Sequence, residues 1–372
     1  MDFTFSEEQQ AAQEAARGVF SAVAPDTVGS PALSPGAVAE DFDRKLWQRL
    51  ARADLLGLTV PEAHGGLALD PVALCLVLRE AGRVLARVPL LETCAAAWIL
   101  AAHGSAEQQA ALLPRVVAGG SALSVAGQGS TGHEPAERAV RATPAKDGKG
   151  NEGGWVLDGV QTAVPWAETA DLVVVPAHTA EGRTLLAFVP PEGTAGVALA
   201  AQASTNGERY AEVRLDGARV AARDVLDAPG ATDRLHRLLT TGTCALALGL
   251  GSRVLEMTSD YVGRREQFGF PVATFQAVAV QAADRYIDLR AMEATLWQAA
   301  WRLDPADVAV AKMWASDGVR RVVQTAQHLH GGMGADTEYP LHRFHAWAKQ
   351  WELAYGPAAA HEAALADLLA VR

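Results

Sequence analysis

Three apolar stretches near the C-terminus constrain this chain more than anything else in it. Leu235 to Val262, Phe275 to Trp301, and a segment opened by Asp304-Pro305 and running to about Leu329 each read as one helix. The first two are each too long and too apolar for a lone surface helix, because a helix that is hydrophobic on several sides is buried on several sides. Asp304 before Pro305 is a cap followed by a first-turn proline. Gly331-Gly332 supplies the stop. With two shorter segments, 341 to 354 and 357 to 370, these long helices in antiparallel order predict a four-helix bundle.

The first third is also helical. Ser6 precedes Glu7 and Glu8, with Gln9 three residues on, a capping-box start. Leu46, Leu50, Leu55 and Leu56 follow in a second segment. The turn Pro61-Glu62-Ala63-His64-Gly65-Gly66 breaks the pattern. Pro71 to Leu85 and Leu90 to His103 are nearly all apolar. Ser105 caps another helix through Val117, and Gly119-Gly120 ends it. The middle third changes character. Val156, Val160, Val164 and the runs Leu172 to Val175 and Leu185 to Val189 are strand signals punctuated by Gly and Pro. Tyr210 to Leu215 alternates and ends at an expected turn, Asp216-Gly217. Residues 133 to 154 read as a mobile loop. The fold class is therefore α+β: an N-terminal α-helical domain at 1–122, a middle β-barrel-like domain at 123–228 and a C-terminal helical bundle at 229–372.

Composition narrows the function. The net charge is -11, which argues against nucleic acid or an anionic membrane as the main partner. Cys75, Cys94 and Cys244 lie in apolar runs without CxxC spacing, as expected of buried reduced thiols in a cytoplasmic protein. The N-terminus lacks the basic and apolar regions of a signal peptide, and no membrane span is expected. His328, His330, His342 and His345 surround a double-glycine turn without a Cys or carboxylate quartet, so no metal is expected. Gly127 to Gly132 lacks the lysine of a phosphate loop.

Two signatures stand out. One is Arg264-Arg265-Glu266-Gln267-Phe268-Gly269, followed by Pro271 and Phe275-Gln276. The other is His328-Leu329-His330-Gly331-Gly332-Met333-Gly334, followed by Glu338-Tyr339-Pro340 and Arg343. They fall about 60 residues apart, in this order, at the ends of two long helices. Together they resemble the acyl-CoA dehydrogenase family, and the Pro61 to Gly66 turn and Val213 to Gly217 extend the similarity over essentially the whole chain. The resemblance implies FAD as cofactor, an acyl-CoA thioester as substrate and an electron-transfer flavoprotein as redox partner. It also implies that Arg265, Gln267, Phe268, His328, Gly331 and Gly332 clasp the adenosine-pyrophosphate end of a flavin lying in a neighbouring subunit. The chemistry is reasonable. A guanidinium binds a diphosphate as a charge-assisted donor, and paired glycines let backbone approach a ligand closely.

The same resemblance shows what is missing. The family's catalytic Glu usually stands in a Tyr-Glu-Gly turn before the last helix. Here the stretch is Leu353-Ala354-Tyr355-Gly356-Pro357, and Tyr355 takes the Glu position. A tyrosine, with an ordinary pKa of about 10, is a poor base at neutral pH. Leu235 to Leu255, the other family location, holds no acid; Glu352 and Glu362 lie near the turn. The family's flavin-ring loop, Thr-Glu-Pro-Gly-x-Gly-Ser, is Ser124-Val125-Ala126-Gly127-Gln128-Gly129-Ser130 here. Its Trp-Ile-Thr segment is Ala163-Val164-Pro165, with Trp166 displaced. His328 stands where a Gln is usual. No residue is therefore assigned as catalytic. The asymmetry resembles the base-lacking subunit of actinobacterial heteromeric (α2β2) acyl-CoA dehydrogenases, which break down bulky CoA thioesters such as steroid side chains. Gly82 to Leu91 resembles that branch too. The implied partner is a homologous catalytic subunit that supplies the Glu. Two other readings stay open: a self-sufficient homo-oligomeric acyl-CoA or acyl-carrier dehydrogenase or flavin oxidase with a relocated base such as Glu352, and a non-enzymatic structural paralogue.

Overall fold

Local signals place the elements. Ser6 Oγ accepts from the Gln9 N–H at 3.2 Å while Gln9 Oε1 accepts from the Ser6 N–H at 2.9 Å. This reciprocal cap opens α1 (Glu7–Phe20). Ser105 opens α5 (Ala106–Val117) with the same reciprocal cap, while the Asp43 and Asp70 side chains accept one backbone N–H each at the starts of α2 (Arg44–Arg52) and α3 (Pro71–Arg83); α4 (Leu90–His103) lies between α3 and α5. This computed structural model describes residues 4–25, 33–34, 37–131, 137–146 and 152–370.

The middle of the chain is one mixed sheet. Its strands are β1 (Leu123–Val125), β2 (Val140–Lys146), β3 (Glu152–Pro165), β4 (Leu172–His178), β5 (Thr184–Val189), β6 (Val197–Ala203), β7 (Arg209–Val220) and β8 (Val225–Leu226). Hydrogen bonding runs β6-β7-β3-β2-β4-β5-β8, and β1 pairs parallel with β4. β4 and β5 read as unbroken apolar runs because both faces are buried. Val174, Leu186 and Phe188 join the helices, while Val173, Val175, Leu185 and Val189 line the sheet's own interior.

Two expectations fail here. The segment 133 to 154 is not all loop. Residues 133–136 and 147–151 lie outside the described residues, but 140–146 and 152–154 are strand, paired from Val140↔Gly159 onward. Asp216-Gly217 is not the end of a strand either. β7 continues to Val220, and the pairing with β3 slips between Leu157 and Gly159. Gly217 takes φ +63 there and donates its N–H to Asp158. The polar dipeptide marks a bulge rather than a turn.

The C-terminal part contains α6 (Ala231–Arg264), a hairpin of β9 (Glu266–Gln267) and β10 (Phe270–Pro271), α7 (Gln276–Arg302), α8 (Pro305–His330), α9 (Leu341–Leu353) and α10 (Ala358–Ala370). The long helices α6, α7 and α8 pack on one another, α9 lies on α6 and α8, and α10 lies along α8. By length and composition α6 could cross a membrane, but 78% of its most apolar window is buried inside the protein. It is a core helix. One face of α6 packs on α3 with backbone nearly touching backbone. A Cβ on Gly249 would stand 1.9 Å from the Arg79 carbonyl oxygen, and one on Gly82 would stand 2.2 Å from that of Leu246. The N-terminal and C-terminal helices therefore share one core.

Candidate functional site

α6 and α8 run parallel, with α7 between them in sequence, so their C-terminal ends meet at one end of the molecule. There the Tyr261 ring stacks on the His330 ring at 4.5 Å. Arg265 terminates α6, and its N–H donates to the Tyr261 carbonyl at 2.8 Å. The hairpin after it turns through Phe268 and Gly269, at φ +56 and +80. Two consecutive positive φ values give the mirror-type turn that suits a tight hairpin. This turn leaves Phe268 89% exposed, edge-on to Phe275 at 6.3 Å.

Beside the hairpin is an open cleft of about 490 Å³, lined by Arg253, Met257, Asp260, Tyr261, Arg264, Arg265, Tyr339 and Pro340. Arg253 has an exposed partner, Glu256, at 3.6 Å. Arg264 and Arg265 enter no ion pair among the described residues. In a chain with 43 acidic and 32 basic residues, two adjacent unpaired guanidiniums on one wall suit an anion. Of the six clasp residues expected from the sequence, Arg265 lines this cleft. Gln267 and Phe268 stand on the hairpin. His328, Gly331 and Gly332 are exposed at the α8 end. Gly331 holds φ +57 and ψ -133, a conformation that only glycine adopts readily. Space beyond both glycines is open to 4 Å. The diphosphate end of FAD fits this arrangement. Arg253, Tyr261, Arg264, His330 and Tyr339 were missed as site residues. Arg264, His330 and Tyr339 stand within the two signatures, but nothing in the linear pattern shows that Arg253, three turns upstream, faces the same cleft.

The second feature is the turn after α9. Tyr355 sits at φ +57 and is 3% exposed. Its N–H donates to Gln128 Oε1 at 3.1 Å, and its carbonyl accepts from His361 Nε2 at 2.9 Å. The ring lies edge-on to His236 at 5.9 Å and close enough to Gly127 that a Cβ there would come within 3.3 Å. Burial, with Glu92 and Tyr210 nearby, holds the phenol well above its ordinary 10. Burial also pushes His236 down to about 4. Neither group is a base poised for neutral pH.

Two clefts flank this turn. One, about 460 Å³, has an apolar inner wall of Val125, Gly127, Leu235 and Leu239, with Glu137, Arg138, Asp233 and Arg237 also in its lining. The other, about 660 Å³, includes Gln128, Thr162, Gln202, Ser204, Lys349 and Gln350. These polar side chains bond to the protein itself. Gln128 holds Tyr355, Gln202 bonds Thr162 and the Ala163 N–H, Ser204 bonds Gln350, and Lys349 pairs with Glu352. They are committed to one another, in contrast to the unpaired Arg264 and Arg265. Glu352 faces Lys349 and Arg320 and lines neither cleft. Among the described residues no three metal-binding side chains converge.

A buried acid escaped the sequence reading altogether. Glu92 lines a cavity of about 60 Å³ with Trp166, Tyr210, Trp347 and Trp351. Burial pushes its carboxyl up to about 7, opposed by a hydrogen bond from Trp166. The one signal was a lone acid inside an otherwise apolar helix.

Comparison with known proteins identifies the family. The description "Acyl-CoA dehydrogenase, N-terminal domain" matches residues 6–120, and "Acyl-CoA dehydrogenase, C-terminal domain" matches residues 238–369. The acyl-CoA dehydrogenase FadE27 of Mycobacterium tuberculosis is 39% identical over 335 residues, covering 85% of this chain and 86% of that one. The ChsE4-ChsE5 complex of the same organism contains a chain with 36% identity and a TM-score of 0.89, covering 100% of this chain and 99% of that one. A variant of the Tcur3481-Tcur3483 steroid ACAD gives 37% identity and a TM-score of 0.87, with 98% of each chain covered. The chain belongs to the acyl-CoA dehydrogenase family.

Proposed function

We propose that this chain is a base-lacking, FAD-clasping subunit of a heteromeric acyl-CoA dehydrogenase. FAD is the cofactor of its family, and when bound it supplies the hydride acceptor for α,β-desaturation of a CoA thioester. The observation that carries the reading is the buried, uncharged Tyr355 at the position of the family's Glu. The open, arginine-lined clasp at the other end of the bundle complements it. In this reading Arg264 and Arg265 bind the diphosphate, Gly331 and Gly332 let the cofactor lie against backbone, and Phe268 shields it from water. The partner, a homologous catalytic subunit, provides the Glu and the ring pocket, in an α2β2 assembly. Likeness to one chain of a two-component complex and to a steroid ACAD supports that partner and a bulky, steroid-type acyl chain.

The test is expression alone and together with a homologous catalytic subunit. The chain alone should purify without stoichiometric FAD and should not oxidise an acyl-CoA. The co-expressed complex should do both. Stoichiometric FAD and turnover by the single chain would sink the proposal. One observation favours a second reading, a self-sufficient enzyme: Glu92 is a carboxyl tuned near neutrality. A cavity of about 60 Å³ is too small for a thioester beside it. That reading requires turnover by the single chain that Glu92→Gln abolishes.

A further inference from the structure

We infer that His330 is the positioning residue of the clasp, pinning three separate chain segments through Tyr261 and Tyr339; this rests on the FAD-clasp reading above. His330 is the last residue of α8 and is 2% exposed. Its Nδ1 lies 2.8 Å from the Ala326 carbonyl oxygen and its Nε2 lies 3.1 Å from the Tyr339 hydroxyl. A carbonyl only accepts, so Nδ1 carries the proton. Nε2 is then the acceptor, and the Tyr339 O–H donates to it. Both ring nitrogens are spent inside the protein, which leaves none for a metal. One face of the imidazole stacks on Tyr261, and the Tyr339 ring lies tilted against it at 5.2 Å.

These contacts join what the sequence keeps apart. Tyr261 belongs to α6, one turn before Arg265, whose N–H it receives. Gly331 and Gly332 follow His330 directly. Tyr339 belongs to the turn into α9. Tyr261 and Tyr339 are also walls of the cleft that holds Arg264 and Arg265. An apolar residue at position 330 would fill the same space, but it would not orient the Tyr339 hydroxyl. Binding geometries need support within about 0.5 Å, and here one neutral imidazole provides it between two signatures. Burial keeps His330 below its ordinary range, so the acceptor lone pair persists at neutral pH. The charged groups that line the cleft beside its two tyrosine partners are Arg253, Asp260, Arg264 and Arg265.

The experiment measures the FAD dissociation constant of the reconstituted heteromeric complex. Tyr339→Phe removes only the donor oxygen. His330→Phe keeps a stacking ring and removes both the acceptor and the Nδ1–H bond to Ala326, and His330→Gln restores an acceptor. Loss of a neutral hydrogen bond predicts about fivefold weaker FAD binding for Tyr339→Phe and at least that for His330→Phe. The double variant should be no weaker than His330→Phe alone, and His330→Gln should recover most of the loss without a change in melting temperature. Unchanged FAD binding in Tyr339→Phe, or additive losses in the double variant, overturns the pin. Arg265→Ala separates the two ideas. If it weakens FAD binding while Tyr339→Phe does not, the clasp stands and the pin falls. If Arg265→Ala has no effect, the clasp reading itself fails, and the pin with it.

Discussion

At the scale of single residues, buried charge decides most of what can be predicted. Glu208 is buried and receives the Arg87 guanidinium at 2.5 Å, while Arg87 also donates to the Asp41 carbonyl at 2.7 Å. Burial raises the Glu208 carboxyl and Arg87 opposes it. Arg87→Ala leaves an uncompensated buried carboxylate, so it should cost about 3 kcal/mol or more in urea unfolding. A loss below about 1 kcal/mol would show that water reaches the carboxylate. Glu92 makes the opposite kind of prediction. Its folded pKa, about 7, is raised from 4.5, so the folded state holds the extra proton between those values. Stability from this group is complete below pH 4.5 and is lost as pH rises through 7. Glu92→Gln should therefore match the wild type in acid and exceed it by about 3 kcal/mol at pH 8. Melting curves across that range check the sign.

At the scale of elements, α6 offers a paired test in one helix. Gly249→Ala drives a Cβ into the Arg79 carbonyl and must push α3 and α6 apart. A loss of about 3 kcal/mol is expected, at the upper end for overpacking. Gly263 has nothing within 4 Å of its missing Cβ. Gly263→Ala should instead stabilise by about 0.5–1 kcal/mol through helix propensity and a less mobile unfolded chain. Denaturation midpoints of the two variants should move in opposite directions. Helices of this kind were legible in the sequence, because caps such as Ser6, Ser105 and Asp304 and long apolar periods act locally. Much of the sheet was not. β6 reads Val-Ala-Leu-Ala-Ala-Gln-Ala, which has little β-branched character and owes its strand to pairing with β7. β2 hid in a polar stretch because only Val140, Ala142 and Ala145 turn inward. The proposed clasp was half legible for the same reason: the residues of each signature stand close together in sequence, whereas Arg253 joins them only through folding.

At the scale of the whole molecule, the chain shows an asymmetry between its two ends. Around Tyr355 the polar groups bond to one another, and around Arg265 they face outward. The reading of half a flavin site predicts a count. Native mass spectrometry of the complex with its catalytic partner should give one flavin for each pair of unlike chains, and Arg265→Ala should lower that count without dissociating the chains. One flavin per chain would contradict it. The surface near the clasp carries a further consequence. Phe268, Phe270, Phe275, Val280, Tyr286 and Ile287 stand bare on the hairpin and the first half of α7. If the proposed companion subunit covers this flank, copies of the chain made in excess of it keep the apolar surface bare, which invites clumping or destruction by proteases. Steady-state abundance of this chain should then track the amount of the proposed companion.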